Sequence, residues 1–110
     1  MLLPFYPPPE QTRQPLILEP ATLPPAQKGV AYEAELSVSQ NETPVVDFYL
    51  IEGALPDGLI IEHVEAEDTA KITGTPSKAG RFTFTILVQC YGTSVSGQQM
   101  SREYFILVGD

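Results

Sequence analysis

The 110-residue chain has no tryptophan, one cysteine, one histidine and six basic residues against fourteen acidic ones. Each shortage closes a class of function. One cysteine cannot form an internal disulfide, and one cysteine with one histidine cannot build a Cys/His zinc site. A formal net charge of −8 repels phosphate backbones, so nucleic acid is a poor partner and none is expected. No apolar run reaches the roughly 18 residues that a membrane-spanning helix needs, so membrane insertion is not expected. Residues 1–6 carry no Lys or Arg and are followed by Pro7, Pro8 and Pro9, so the start does not read as a secretion signal.

Apolar residues and prolines are plentiful. Hydrophobic residues make up 43% of the chain and charged residues 18%, which suits one domain with one core. Eight of the eleven prolines fall in the first 25 residues. Proline fixes φ and removes a donor, so residues 1–15 are expected to be an extended leader or linker, and 16–110 the folded domain. Pro4-x-x-Pro7 has the spacing read by proline-recognising domains, but no flanking basic residue fixes a docking direction.

From residue 16 the periodicity is that of strands. Leu16, Ile17 and Leu18 suit an edge strand stopped by Pro20. Over 30–39, Val30, Tyr32, Ala34, Leu36 and Val38 alternate with polar residues. Further strands are expected over 45–52, 59–64, 70–75, 81–91 and 102–108, with Phe84, Ile86, Val88 and Cys90 on one face and Tyr104, Ile106 and Val108 on another. Turn residues divide them at Gly53, Pro56-Asp57-Gly58, 74–80 and 92–97. About seven short strands without helical periodicity predict an all-β antiparallel sandwich.

The punctuation carries a family likeness. Lys28-Gly29-Val30-Ala31-Tyr32 is followed by Leu55-Pro56-Asp57-Gly58-Leu59, then by Gly74-Thr75-Pro76-Ser77-Lys78-Ala79-Gly80. In this order the motifs resemble the bacterial putative Ig domains, relatives of the dystroglycan-type cadherin-like domain, over about residues 16–108. The resemblance implies an Ig-like β-sandwich, an extracytoplasmic setting in the cell envelope or among secreted proteins, and a role in adhesion, spacing or display. Phe48 stands where the family usually has a larger aromatic. Gln89-Cys90-Tyr91-Gly92 stands where it tends to carry an Asp, so calcium is not expected.

Catalytic groups are sparse. Lys78 precedes the second glycine of the 74–80 segment, which is the wrong order for a phosphate loop. Cys90 is expected inward and inert, and His63 on a solvated hairpin, so neither a catalytic nor a metal site nor a cofactor is expected. Glu62, Glu65, Glu67 and Asp68 read as an acidic turn, and Asn41-Glu42-Thr43 as a turn. The stronger signal is on the outer faces. If Phe48, Leu50, Phe84, Ile86, Tyr104 and Ile106 point inward, then Val45, Tyr49, Ile51, Leu87, Phe105 and Leu107 gather on one outer sheet surface. A contiguous apolar patch marks an interface, here with a partner protein or a second copy, unless the leader folds back over it. The expected function is a non-catalytic interaction or spacer module. The alternatives are a stand-alone inhibitor or immunity-type binding protein, or a glycan- or calcium-dependent adhesion module. Tyr6, Tyr32, Tyr49 and Tyr91 are the stacking candidates for glycan.

Overall fold

The computed structural model describes residues 16–92 and 97–110. The expected leader over 1–15 and most of the 92–97 turn lie outside the described residues. The described chain is all strand and connection: β1 (Ile17–Glu19), β2 (Ala26–Gln27), β3 (Tyr32–Ser39), β4 (Val45–Gly53), β5 (Leu59–His63), β6 (Thr69–Gly74), β7 (Gly80–Cys90) and β8 (Gln99–Gly109). They form two four-stranded sheets, ordered β1-β3-β6-β5 and β2-β8-β7-β4. This is the expected Ig-like sandwich.

The eighth strand is β2, which the sequence pattern does not announce. It is two residues long, follows Pro24 and Pro25, and pairs parallel with β8 through Ala26–Val108 and Gln27–Gly109. The chain therefore starts on one sheet as β1, antiparallel to β3, and crosses to the other as β2. A cis peptide joins Glu19 to Pro20 at the crossing. Two buried tyrosines hold the strap between them. Tyr104 donates its hydroxyl to the Pro20 carbonyl and Tyr32 to the Pro24 carbonyl, each at 2.8 Å. Proline carbonyls keep both lone pairs although their nitrogens have no proton, so they serve as acceptors here.

The inner faces supply the core. Leu18, Leu36, Ile72, Phe84, Ile86 and Ile106 are almost fully buried, and Phe84 lies 6.1 Å from the Tyr104 ring. Strand alternation delivers these residues, since every second side chain of β3, β7 and β8 turns to the same side. Val30, expected inward, is exposed. It sits in a turn after Gly29, its N–H bonding to the Gln27 carbonyl, and regular pairing starts only at Tyr32.

The two family motifs interlock. Leu59 pairs with Gly74 at the ends of β5 and β6. Gly58 has φ +100° and Gly74 φ +135°; a Cβ on Gly58 would lie 2.1 Å from Thr75 O, and one on Gly74 2.0 Å from Gly58 O. Leu59 N–H bonds to Pro56 O at 3.0 Å, and Ser77 N–H to Asp57 O at 2.9 Å. The turn after β4 and the turn after β6 are thus one backbone-to-backbone contact that only glycine allows.

Candidate interaction surfaces

The β2-β8-β7-β4 sheet has an outer face whose composition follows from its register. Tyr49, Leu87 and Ser101 form one cross-strand row. Thr85 opposite Glu103 forms the next, followed by Thr83 opposite Phe105 and Arg81 opposite Leu107. At ~3.4 Å per residue along a strand, Phe105 lies ~14 Å further along β8 than the Tyr49 row, and Leu107 ~20 Å. The expected single patch is therefore two patches, separated by the polar Thr85–Glu103 row.

Val45, expected on this face, is fully buried. A bulge between Val45 and Asp47 inserts Val46 and reverses the parity, so Val45 opposes the buried Cys90. A second irregularity between Leu50 and Glu52 leaves Ile51 without a cross-strand partner and 49% exposed. Leu50, expected in the core, opposes the buried Ile86 but stays 38% exposed, because it lies on an edge strand that the facing sheet does not cover. Tyr49, Ile51 and Leu87 remain together at one end of the face.

The Phe105–Leu107 end is partly furnished from within. The Arg81 guanidinium stacks over the Phe105 ring at 4.1 Å. Leu23 and Pro25 of the strap line a small depression with Phe105 and Leu107. Leu107 is still 48% exposed. The strap thus covers part of this end of the face.

A second feature lies where the sheets meet at their other side. β4 ends one sheet and β5 the other, and neither has a further strand beyond it among the described residues. Between them is an open cleft of about 420 Å³, lined by Leu50, Leu55, Leu59, Ile60, Ile61 and, at one end, Asp47, Phe48 and His63. His63 was expected on a solvated hairpin. Its side chain is instead 3% exposed, with Nδ1 3.1 Å from an Asp47 carboxylate oxygen and Nε2 2.7 Å from the Glu67 carbonyl. The Phe48 ring meets it edge-on at 4.8 Å. Together with the Ala66 N–H bond to Val45 O, this closes one end of the seam. Sequence alternation placed His63 correctly on β5 but could not supply its partners across the gap.

The remaining candidates have structural partners. Cys90 is buried, as expected. In the acidic turn, Glu65 accepts from the Tyr91 hydroxyl and Asp68 from Asn41 Nδ2. Among the described residues, no three His, Cys, Asp or Glu side chains converge as a metal-binding group. Burial pushes the Tyr32 and Tyr104 hydroxyls up to about 12, Arg102 offsetting part of this at Tyr104. They are clasps, not titrating catalysts at neutral pH. Of the glycan-stacking candidates, Tyr32 is buried, Tyr91 is engaged by Glu65, Tyr6 lies outside the described residues, and Tyr49 is exposed on the sheet face.

Solved structures share the architecture. An endo-fucoidan hydrolase, MfFcnA4 of glycoside hydrolase family 107, aligns with TM-score 0.59 and 22% identity over 80% of this chain. A variant of that enzyme gives 0.60 and 20% over 84%. The chain corresponds to only 12% of the first enzyme and 13% of the second. The ASH/PapD-like domain 7 of human CEP192 aligns with TM-score 0.54 and 12% identity over 98% of this chain and 92% of that domain. At these identities the likeness establishes the sandwich and nothing of activity. No curated protein sequence matches the chain. The motif order, the interlocked glycine turns and the two-sheet topology agree with a family match over residues 14–108, and the chain belongs to the putative Ig domain family.

Proposed function

We propose that the domain is a non-catalytic recognition or spacer module, carried by a cell-envelope or secreted protein. It meets a partner protein, or a second copy, through the outer face of the β4-β7-β8 sheet. The observation that supports this reading is the cluster of Tyr49, Ile51 and Leu87 at one end of that face, with Tyr49 39% exposed. Apolar groups held together on a rigid sheet are the usual centre of an interface. The putative Ig domain family match supports the non-catalytic reading.

The test is capture from envelope and soluble extracts with the wild-type domain and with Tyr49→Ser/Leu87→Ser, beside sedimentation of both. The expected result is a specific partner, or a dimer, lost at least tenfold in a variant with an unchanged melting curve. Equal capture by both proteins, with both monomeric, would remove the sheet face as the site.

A further inference from the structure

We propose that the open seam between β4 and β5 is a docking groove for an extended segment of a partner protein in which aliphatic residues alternate with Lys or Arg. The site is distinct from the sheet face and does not rest on it.

The sandwich has two lateral seams, and the chain treats them differently. On one, the strap passes from β1 to β2 and is hooked by Tyr32 and Tyr104. On the other, β4 and β5 both present an edge with no neighbouring strand among the described residues. Such an edge offers backbone donors and acceptors to an added strand. Between the edges the floor is apolar: Leu55, Leu59 and Ile61 lie in the cleft, Leu50 projects from one rim, and Ile60, 56% exposed, from the other. The His63–Asp47 contact stops the cleft at one end, so an occupant lies along the Leu50–Ile60 stretch.

Charge selects the occupant. Two edge-strand carboxylates, Glu52 on β4 opposite Thr85 and Glu62 on β5 opposite Lys71, are exposed beside the cleft. Asp47, the one carboxylate in the cleft lining, is engaged by His63 at the closed end, and Lys71 reaches Glu33. An added strand with aliphatic side chains turned into the cleft and cationic ones turned outward beside Glu52 or Glu62 satisfies both. A second copy pairing by the same edge would bring Glu52 or Glu62 against an acidic edge of its own kind. Residues 1–15 are a poor occupant: five of them are prolines without an N–H to give, and Arg13 is their one basic residue, offset by Glu10.

A random nonapeptide display library panned on the immobilised domain tests this. The expected winners alternate aliphatic residues with Lys or Arg. They should bind at least tenfold more weakly to Leu50→Glu/Ile60→Glu and to Glu52→Lys/Glu62→Lys. They should bind Tyr49→Ser/Leu87→Ser as well as wild type, and weaken as salt is raised. All four substituted edge-strand residues are exposed, and melting curves within a few degrees of wild type verify folding. The proposal is overturned if selection yields nothing above background, or yields acidic or proline-rich peptides. It is equally overturned by winners that ignore both groove variants, or that are lost only on the Tyr49→Ser/Leu87→Ser face. The last outcome would instead support the sheet face.

Discussion

Gly58 and Gly74 show how much can depend on a missing methyl group. Each sits at positive φ and faces the other's turn at a separation no Cβ could share. Gly74→Ala is therefore expected to lower unfolding free energy by about 2–4 kcal/mol, from backbone strain together with a forced separation of the two turns. Urea unfolding measures it; a loss below ~1 kcal/mol would mean that the turns part easily. Both motifs were legible as turns in the sequence, because Pro-Asp-Gly and Gly-Thr-Pro are local signals. Their contact was not, because it joins residues sixteen apart through backbone alone. Val45 illustrates the opposite failure. Inward and outward assignments depend on counting by twos, and an inserted residue such as Val46 reverses the count without any mark in composition. The strands without such insertions, β3, β7 and β8, were read with their faces correct. His63 was out of reach for a third reason, since its burial depends on Asp47 and the Glu67 carbonyl arriving from elsewhere in the fold.

Among the elements, the strap has the least periodicity and two of the best-placed hydrogen bonds. A two-residue parallel strand after a pair of prolines gives pattern reading nothing to count, so β2 goes unseen while Tyr32 and Tyr104 are correctly placed inward. Their hydroxyls tie the strap's pH response to its attachment. Because the folded-state value is raised, the folded protein keeps protons that the unfolded chain releases. The contribution is intact below pH 10 and falls as pH rises towards about 12. The slope approaches ~1.4 kcal/mol per pH unit for each tyrosine in that window. Tyr32→Phe/Tyr104→Phe removes both hydroxyls and with them hydrogen bonds worth about 1 kcal/mol each. The expected outcome is a variant less stable at pH 8 whose urea midpoint declines more gently from pH 10 to 12. Parallel declines in the two proteins would show that the alkaline loss originates elsewhere.

For the molecule as a whole, charge is unevenly spread: half of its fourteen acidic residues lie within 45–68. Lys71 pairs with Glu33 and Lys78 with Asp57, both at exposed positions, and exposed pairs add little. Self-repulsion should therefore oppose compactness at low ionic strength. Raising NaCl from about 20 to 500 mM is expected to lift the melting temperature by a few degrees. A flat response would mean that the carboxylates are already far enough apart to ignore one another.

The strap also sets how the domain would bear tension. Ile17 enters beside Ser39, whereas Gly109 leaves beside Gln27 at the far end of the sandwich. Between these points β2 and β8 run in the same direction, reinforced by Lys28 N–H on the Gly109 carbonyl and by Gln27 Nε2 on the Asp110 carbonyl. A pull along the chain loads these bonds side by side, so they resist collectively and do not peel open one at a time.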